Sequence, residues 1–158
     1  MPQNGIRPPG IEALTNAFLA NENLRTIDLN DNTITLAAPK LASAIEQLPK
    51  LEIINLESSL IRTKGALAIA RAIVSHKNLQ ELHLGCNEMT TEGGVEIARV
   101  VKNMSNLKVL DLNGKCSRKR SDGNEQRSFL GNCFGDDGIE EIRQILENKS
   151  LLNQMVFR

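Results

Sequence analysis

A nine-residue pattern recurs along this chain at a nearly constant interval, and it restricts the possible folds more than any other feature. Leu79–Asn87 (LQELHLGCN) reads L-x-x-L-x-L-x-x-N. Leu24–Asn32 (LRTIDLNDN) carries the same pattern. Leu51–Ser59 (LEIINLESS) has Ser59 in place of the closing asparagine, and Leu107–Leu112 (LKVLDL) begins the pattern again. First positions fall at 24, 51, 79 and 107, in steps of 27, 28 and 28. One match is weak, but four in phase make a repeat array, whose units bury their apolar faces only by stacking on neighbours.

This is the leucine-rich repeat signature. A period near 28 that holds a strand and a full helix predicts an α/β solenoid of the ribonuclease-inhibitor-like kind. The parallel sheet lines the concave face and the helices the convex face. Strand leucines point inward, while the x positions point out to the concave face. The closing Asn side chain satisfies backbone groups in the turn after each strand, and Ser59 does so only in part. Small residues (Gly10, Ala38, Gly65, Gly93 and Gly138) sit six positions after the Asn.

The spacing predicts one partial domain over 1–158, with repeats at about 1–23, 24–50, 51–78, 79–106 and 107–150 and the start of another at 151–158. Met1 takes the place of the last strand leucine in the first unit. Ile11, Leu14, Ala17 and Phe18 form its helical stripe. Leu41, Ala44, Ile45 and Leu48 follow, on a helix over Ala38–Gln47 with Pro39 near its first position. Gly65 precedes the next helix, which buries Ala66, Ile69, Ala70 and Ile73. The stripes of the remaining units are Val95, Ala98, Val101 and Met104, then Ile142, Ile145 and Leu146 on a helix over Ile139–Leu146.

One repeat is interrupted. After Asn113-Gly114 the ninth position holds Lys115, and the pattern resumes at Asn132 (NCFGDDG). Removing 115–131 restores the period. This segment, KCSRKRSDGNEQRSFLG, has five basic residues against Asp122 and Glu125, so it carries +3 while the rest of the chain sums to −3. A disordered insertion is expected there. Its KCSRKR run is a weak match to a localisation patch, and Arg120-Ser121 to a basic-directed kinase site. Neither end carries a polar cap, which predicts a piece of a longer repeat domain with self-association through the uncapped ends.

Composition removes several function classes. The chain has four Phe and neither Tyr nor Trp, which argues against the aromatic platforms of single-stranded nucleic-acid binders. A formal net charge of zero offers no global field for nucleic acid or membrane surfaces. No apolar run reaches membrane-spanning length, and MPQNGIRPPG does not read as a signal peptide. Three cysteines without C-x-x-C spacing suggest free thiols in a reducing compartment, with Cys86 partly exposed at a strand end. The expected location is cytoplasmic, including association with the nuclear envelope.

Several segments resemble the GTPase-activating protein family of the small GTPase Ran beyond the repeat consensus. They are Met1–Ile6 (MPQNGI), Leu24–Thr35 (LRTIDLNDNTIT), Leu51–Ile73, and LDLNG with NCFGDDG on either side of the interruption. The resemblance covers nearly all of the chain outside 115–131. It implies a crescent that docks on Ran and speeds its GTP hydrolysis in nucleocytoplasmic transport, and so a regulator rather than an enzyme. It also implies that this chain corresponds to the C-terminal half of that family's repeat domain, and that activation works without an inserted arginine. The polar residues implicated in activation lie in earlier repeats with no counterpart here.

The expected partner-binding residues are Asp28, Asp31, Glu52, Glu57, Glu81, His83 and Asp111 on the concave face, with Arg62 and Lys64 on the strand-to-helix rim. Six acids against Arg25 and Lys108 favour a basic patch on a protein partner. Arg62 raises the question of an arginine finger, but a surface arginine docking by charge is the simpler reading. His76 and His83 are the two histidines, too few for a triad or metal site with fixed geometry. No metal, cofactor or catalytic residue is expected, and the glycines lack phosphate-loop spacing. The alternative is an interaction module of the same fold with no effect on GTP hydrolysis.

Overall fold

The computed structural model describes residues 1–113 and 131–147. The chain alternates helix and strand throughout: α1 (Pro8–Leu19), β1 (Thr26–Asp28), a 3-10 turn (Thr35–Ala37), α2 (Ala38–Glu46), β2 (Ile53–Asn55), α3 (Arg62–Ile73), β3 (Glu81–His83), α4 (Thr91–Val101), β4 (Val109–Asp111) and α5 (Gly135–Leu146). The four strands form one parallel sheet in chain order. Helices stack side by side in the same order, α1 on α2 through to α4 on α5. This is an α/β leucine-rich repeat solenoid. The expected disordered insertion (all but Gly131) and the strand start at Leu152 lie outside the described residues.

Each strand is three residues long, too short to stand without packing. The stacking core supplies what the strands lack. Leu29, Leu56, Leu84 and Leu112 are all buried, as are Ile27, Ile54, Leu82 and Leu110 in mid-strand. Each such side chain contributes about 1.5–3 kcal/mol on leaving water. The helical stripes of α2, α3 and α4 are buried at every expected position. Four expected positions elsewhere differ, among them Leu14 and Phe18 in α1, which are only half-buried. In α1 Ala17 is exposed and Thr15 is buried, its hydroxyl donating to Glu12 O at 2.7 Å. Ile145 in α5 is only half-buried.

Backbone bonds between repeats run past the strands. Leu29 N–H donates to Asn55 O, Leu56 to His83 O and Leu84 to Asp111 O, at 2.8–2.9 Å. The Met1 amine donates to Asp28 O at 2.6 Å, so Met1 makes the same bond as those leucines. One step beyond, Asp31, Ser58 and Cys86 donate to Glu57 O, Gly85 O and Asn113 O, each at 2.9 Å. These three residues adopt φ of 52–54°, the left-handed bend that turns the next side chain inward.

That inward side chain is the ladder asparagine. Asn87 is fully buried. Its Oδ1 accepts from Ser59 N–H (3.0 Å) and Ile61 N–H (3.2 Å), and its Nδ2 donates to Leu56 O (2.7 Å) and Gly85 O (3.0 Å). Ser59 reaches two carbonyls, Leu29 O at 2.8 Å and Glu57 O at 3.0 Å. It lacks the second polar atom with which Asn87 accepts from N–H groups of the preceding repeat, and Ile34 N–H is taken by the Ser59 backbone carbonyl at 3.0 Å.

The sequence pattern also holds a second polar row, at the opposite end of the strands. Asn78 Nδ2 donates to Pro49 O at 3.0 Å and Asn106 Nδ2 to Lys77 O at 2.6 Å. Lys50 Nζ donates to Asn23 Oδ1 at 2.7 Å. Each of these residues immediately precedes a repeat-initial leucine.

Gly65 does not precede α3 but sits in its first turn. Its place is a helix–helix contact: a Cβ there would lie 2.8 Å from the Ala38 Cβ. Gly93 stands likewise against Ala66, with a Cβ position 3.2 Å away. The small residue after each turn therefore sets how closely successive helix starts approach.

Candidate functional site

The open face of the sheet presents side chains in aligned rows. Register places Asp28, Asn55, His83 and Asp111 in one row, and Thr26, Ile53, Glu81 and Val109 in another. Three members of the first row serve the chain's own turns. Asp28 Oδ1 accepts from Asn30 N–H (3.2 Å), Asn55 Oδ1 from Glu57 N–H (3.2 Å), and Asp111 Oδ1 from Asn113 N–H (2.8 Å). These are Asx turns, in which a short acceptor closes the backbone two residues on. Each acid keeps its second oxygen for an outside donor.

His83 breaks the row. Its Nε2 lies 3.1 Å from Glu81 Oε2, which draws the second row's acid toward the first. Glu52 is engaged differently, in an ion pair with Arg25 at the start of the strands. Lys108 Nζ donates to Gln80 Oε1 at 2.8 Å in the same layer. Negative charge is thus offset by Arg25 and Lys108 where the strands begin and concentrated where they end, at Asp28, Asp31, Glu57 and Asp111.

Asp31 and Glu57 stand apart from the sheet rows, on the rim. With Asn30, Ser58, Leu60 and Cys86 they line a groove of about 630 Å³ that crosses successive turns. Cys86 is 5% exposed, contrary to the partial exposure expected, although Asp31 and Ser58 at the equivalent positions are exposed and half-buried.

Arg62 and Lys64 occupy the first turn of α3 and are exposed. Arg62 Nε pairs with Glu88 Oε2 at 3.1 Å. The sequence reading missed Glu88, although it lies one position after Asn87 on the same rim. Beside this pair, Thr63 and Thr90 share a hydroxyl contact at 2.9 Å, and Thr63 Oγ1 also accepts from Thr90 N–H at 3.0 Å. Arg62 therefore belongs to a bracing contact between two repeats.

Of the nine expected residues, Asp28, Glu81, His83 and Asp111 lie in the strand rows, Asp31, Glu57, Arg62 and Lys64 on the rim, and Glu52 just before β2. Among the described residues, no group of three or more His, Cys, Asp or Glu side chains is arranged to hold a metal ion. No helix of the described residues is long and apolar enough to cross a membrane. His76, the other histidine, is remote from both surfaces. It is 2% exposed, its Nε2 lies 3.0 Å from Ile45 O, and its Nδ1 has no hydrogen-bond partner. Burial pushes its pKa down, against an upward pull from the carbonyls of Ile45, Leu48 and Ala72 and from Glu46.

In-register parallel strands, stacked helices and a buried polar ladder define a repeat protein built to display a surface. A family model for the Leucine Rich repeat matches residues 20–37 and 75–98, and with this architecture it makes the chain a leucine-rich repeat protein. No curated protein matches the chain.

Proposed function

We propose that the chain is a protein-docking module, and that its partner is a small GTPase of the Ran type whose GTP hydrolysis it promotes by binding. The single observation behind the docking reading is the rows of side chains held in register on the open sheet face, with acids gathered where the strands end. Leucine-rich repeat domains generally bind proteins. What supports the finer reading is the resemblance of Met1–Ile6, Leu24–Thr35, Leu51–Ile73 and NCFGDDG to the Ran activator family. The protein would act as a regulator rather than an enzyme, in the cytoplasm and at the nuclear envelope.

A second reading, an interaction module with no effect on GTP hydrolysis, fits the repeat match and the displayed sheet face equally well. Two measurements separate the readings. Ran loaded with GTP is pulled down on the immobilised chain, and single-turnover GTP hydrolysis is followed with and without the chain. Binding with acceleration supports the activator. Binding without acceleration leaves the module alone. Absence of binding rejects Ran as the partner.

A further inference from the structure

We infer that Asn4 is a site of spontaneous chemical modification, in which water converts its side-chain amide into a carboxylate. The inference stands apart from the protein-docking reading and from the choice of partner. Asn4 is followed by Gly5, and Asn113-Gly114 is the second Asn-Gly pair in the sequence. Such a pair can close on itself, because glycine has no Cβ to keep its nitrogen away from the asparagine side chain. Base removes the Gly5 amide proton, and the nitrogen attacks Asn4 Cγ. A bond from N to Cγ forms, the bond from Cγ to Nδ2 breaks, and Nδ2 leaves as ammonia. Water then adds to one carbonyl of the cyclic imide and opens it to aspartate or isoaspartate. Water is the only co-reactant.

The structure separates the two pairs. Residues 3–6 form an arch held at its feet, by Gln3 N–H to Asn30 O at 3.0 Å and Ile6 N–H to Asn32 Oδ1 at 2.8 Å. Between the feet, Asn4 and Gly5 are both exposed. Gly5 has φ of +58°, and beyond its chain neighbours no atom lies within 4 Å of where a Cβ would stand. Among the described residues, neither the Asn4 carbonyl nor the Gly5 N–H is hydrogen-bonded. Asn4 Nδ2 donates to Pro2 O at 2.7 Å, which ties it to no other repeat. This peptide is therefore open to the rotation that brings nitrogen to Cγ. Asn113 is half-buried and held. Its N–H donates to Asp111 Oδ1 at 2.8 Å, and its carbonyl accepts from Cys86 N–H at 2.9 Å and Asn132 Nδ2 at 3.3 Å. The same rotation there would break bonds between repeats. Gln3 and Gly5 line the rim groove with Asp31 and Glu57, so the product places a new carboxylate beside that rim. Isoaspartate also adds a backbone methylene between the two feet.

The test ages the whole chain at mildly alkaline pH, folded and in urea, and follows both pairs by peptide mapping and mass spectrometry. In the folded protein, conversion at Asn4 should outrun that at Asn113 by about tenfold or more, the ratio given by a barrier difference of about 1.4 kcal/mol. In urea that ratio should fall toward unity, since the bonds that hold Asn113 are gone. The rate at Asn4 should rise with pH, as removal of an amide proton requires. Asn4→Gln should lose the acidic product from this segment, because the longer side chain closes its ring more slowly. An Asn4 that keeps its amide in the folded protein, or an Asn113 that converts as fast, would overturn the proposal. So would a ratio unchanged by urea, or an acidic product that persists in this segment of Asn4→Gln. No GTPase is present, so failure here is separate from failure of the Ran reading.

Discussion

The backbone N–H of Asn87 is held by the side-chain oxygen of Asn132, 3.1 Å away and 45 positions further along the chain. The equivalent bond one repeat earlier joins Ser59 to Asn87 across 28 positions. The difference is 17, the length of 115–131. Asn132 also donates to Leu84 O at 3.0 Å and Leu112 O at 3.1 Å, and accepts from Met89 N–H at 3.3 Å. The ladder therefore passes across the interruption in register.

Replacing Asn87 with alanine should be among the costliest single changes in the protein. It strands two N–H donors and two carbonyls in a fully buried position, and each buried unsatisfied group costs about 1–3 kcal/mol. Relaxation will recover part of that, so a loss of about 3–5 kcal/mol is expected by urea denaturation. Asn87→Ser should cost about half as much, because Ser59 shows that a hydroxyl still satisfies the carbonyl side. Equal losses for the two variants would mean that the ladder is not what the asparagine supports.

Gly65→Ala sets two effects against each other. Alanine favours a helix by about 0.8–1 kcal/mol over glycine. The new Cβ would sit 2.8 Å from the Ala38 Cβ and 3.1 Å from the Ile61 Cβ, and forced overpacking costs about 1–3 kcal/mol. Both obstacles are close to the backbone and cannot swing aside, so the clash should win and the melting temperature should fall. Gly93→Ala meets its nearest atom at 3.2 Å and should be close to neutral. The order of the two variants is the sensitive result.

Much of this was legible in the residues. Leu24, Leu51, Leu79 and Leu107 gave the period, and the buried stripes of α2 to α4 followed from helical spacing. Gly65 was located by its spacing, but its contact with Ala38 belongs to tertiary packing, which no single repeat contains. The site was less legible. The concave acids were identifiable as outward positions, yet spacing carries no information on which of them close Asx turns. Arg25–Glu52 and Arg62–Glu88 join residues of adjacent repeats, and such pairs depend on side-chain reach. Cys86 was misjudged because equivalent rim positions differ in burial, with Asp31 exposed and Ser58 half-buried at the same backbone bend.

Acid should loosen the joint between α2 and the turn after α3 through His76. Its Nε2–H donates to Ile45 O, so Nδ1 carries a bare lone pair inside the protein. With the folded pKa held below the ordinary value of 6.5 by burial, the unfolded chain binds the proton more readily. Stability from the neutral ring is fully present above pH 6.5 and falls as pH drops toward the folded pKa, with a slope of at most about 1.4 kcal/mol per pH unit. Denaturation midpoints measured from pH 8 downward should show this decline setting in below the unfolded histidine value of 6.5. In His76→Gln the part due to this ring should vanish. A decline of the same steepness in the variant would assign it to the carboxylates instead.

The closure of the ladder across 115–131 has a practical meaning. Asn132 Nδ2 reaches Asn113 O at 3.3 Å, so the two chain ends at the interruption are pinned beside each other at one point of the rim. That makes the position a ready graft port. A folded domain whose own termini lie close together, a fluorescent reporter for example, could be spliced there while every repeat keeps its neighbours. The array would then carry cargo at a known height beside its binding surface.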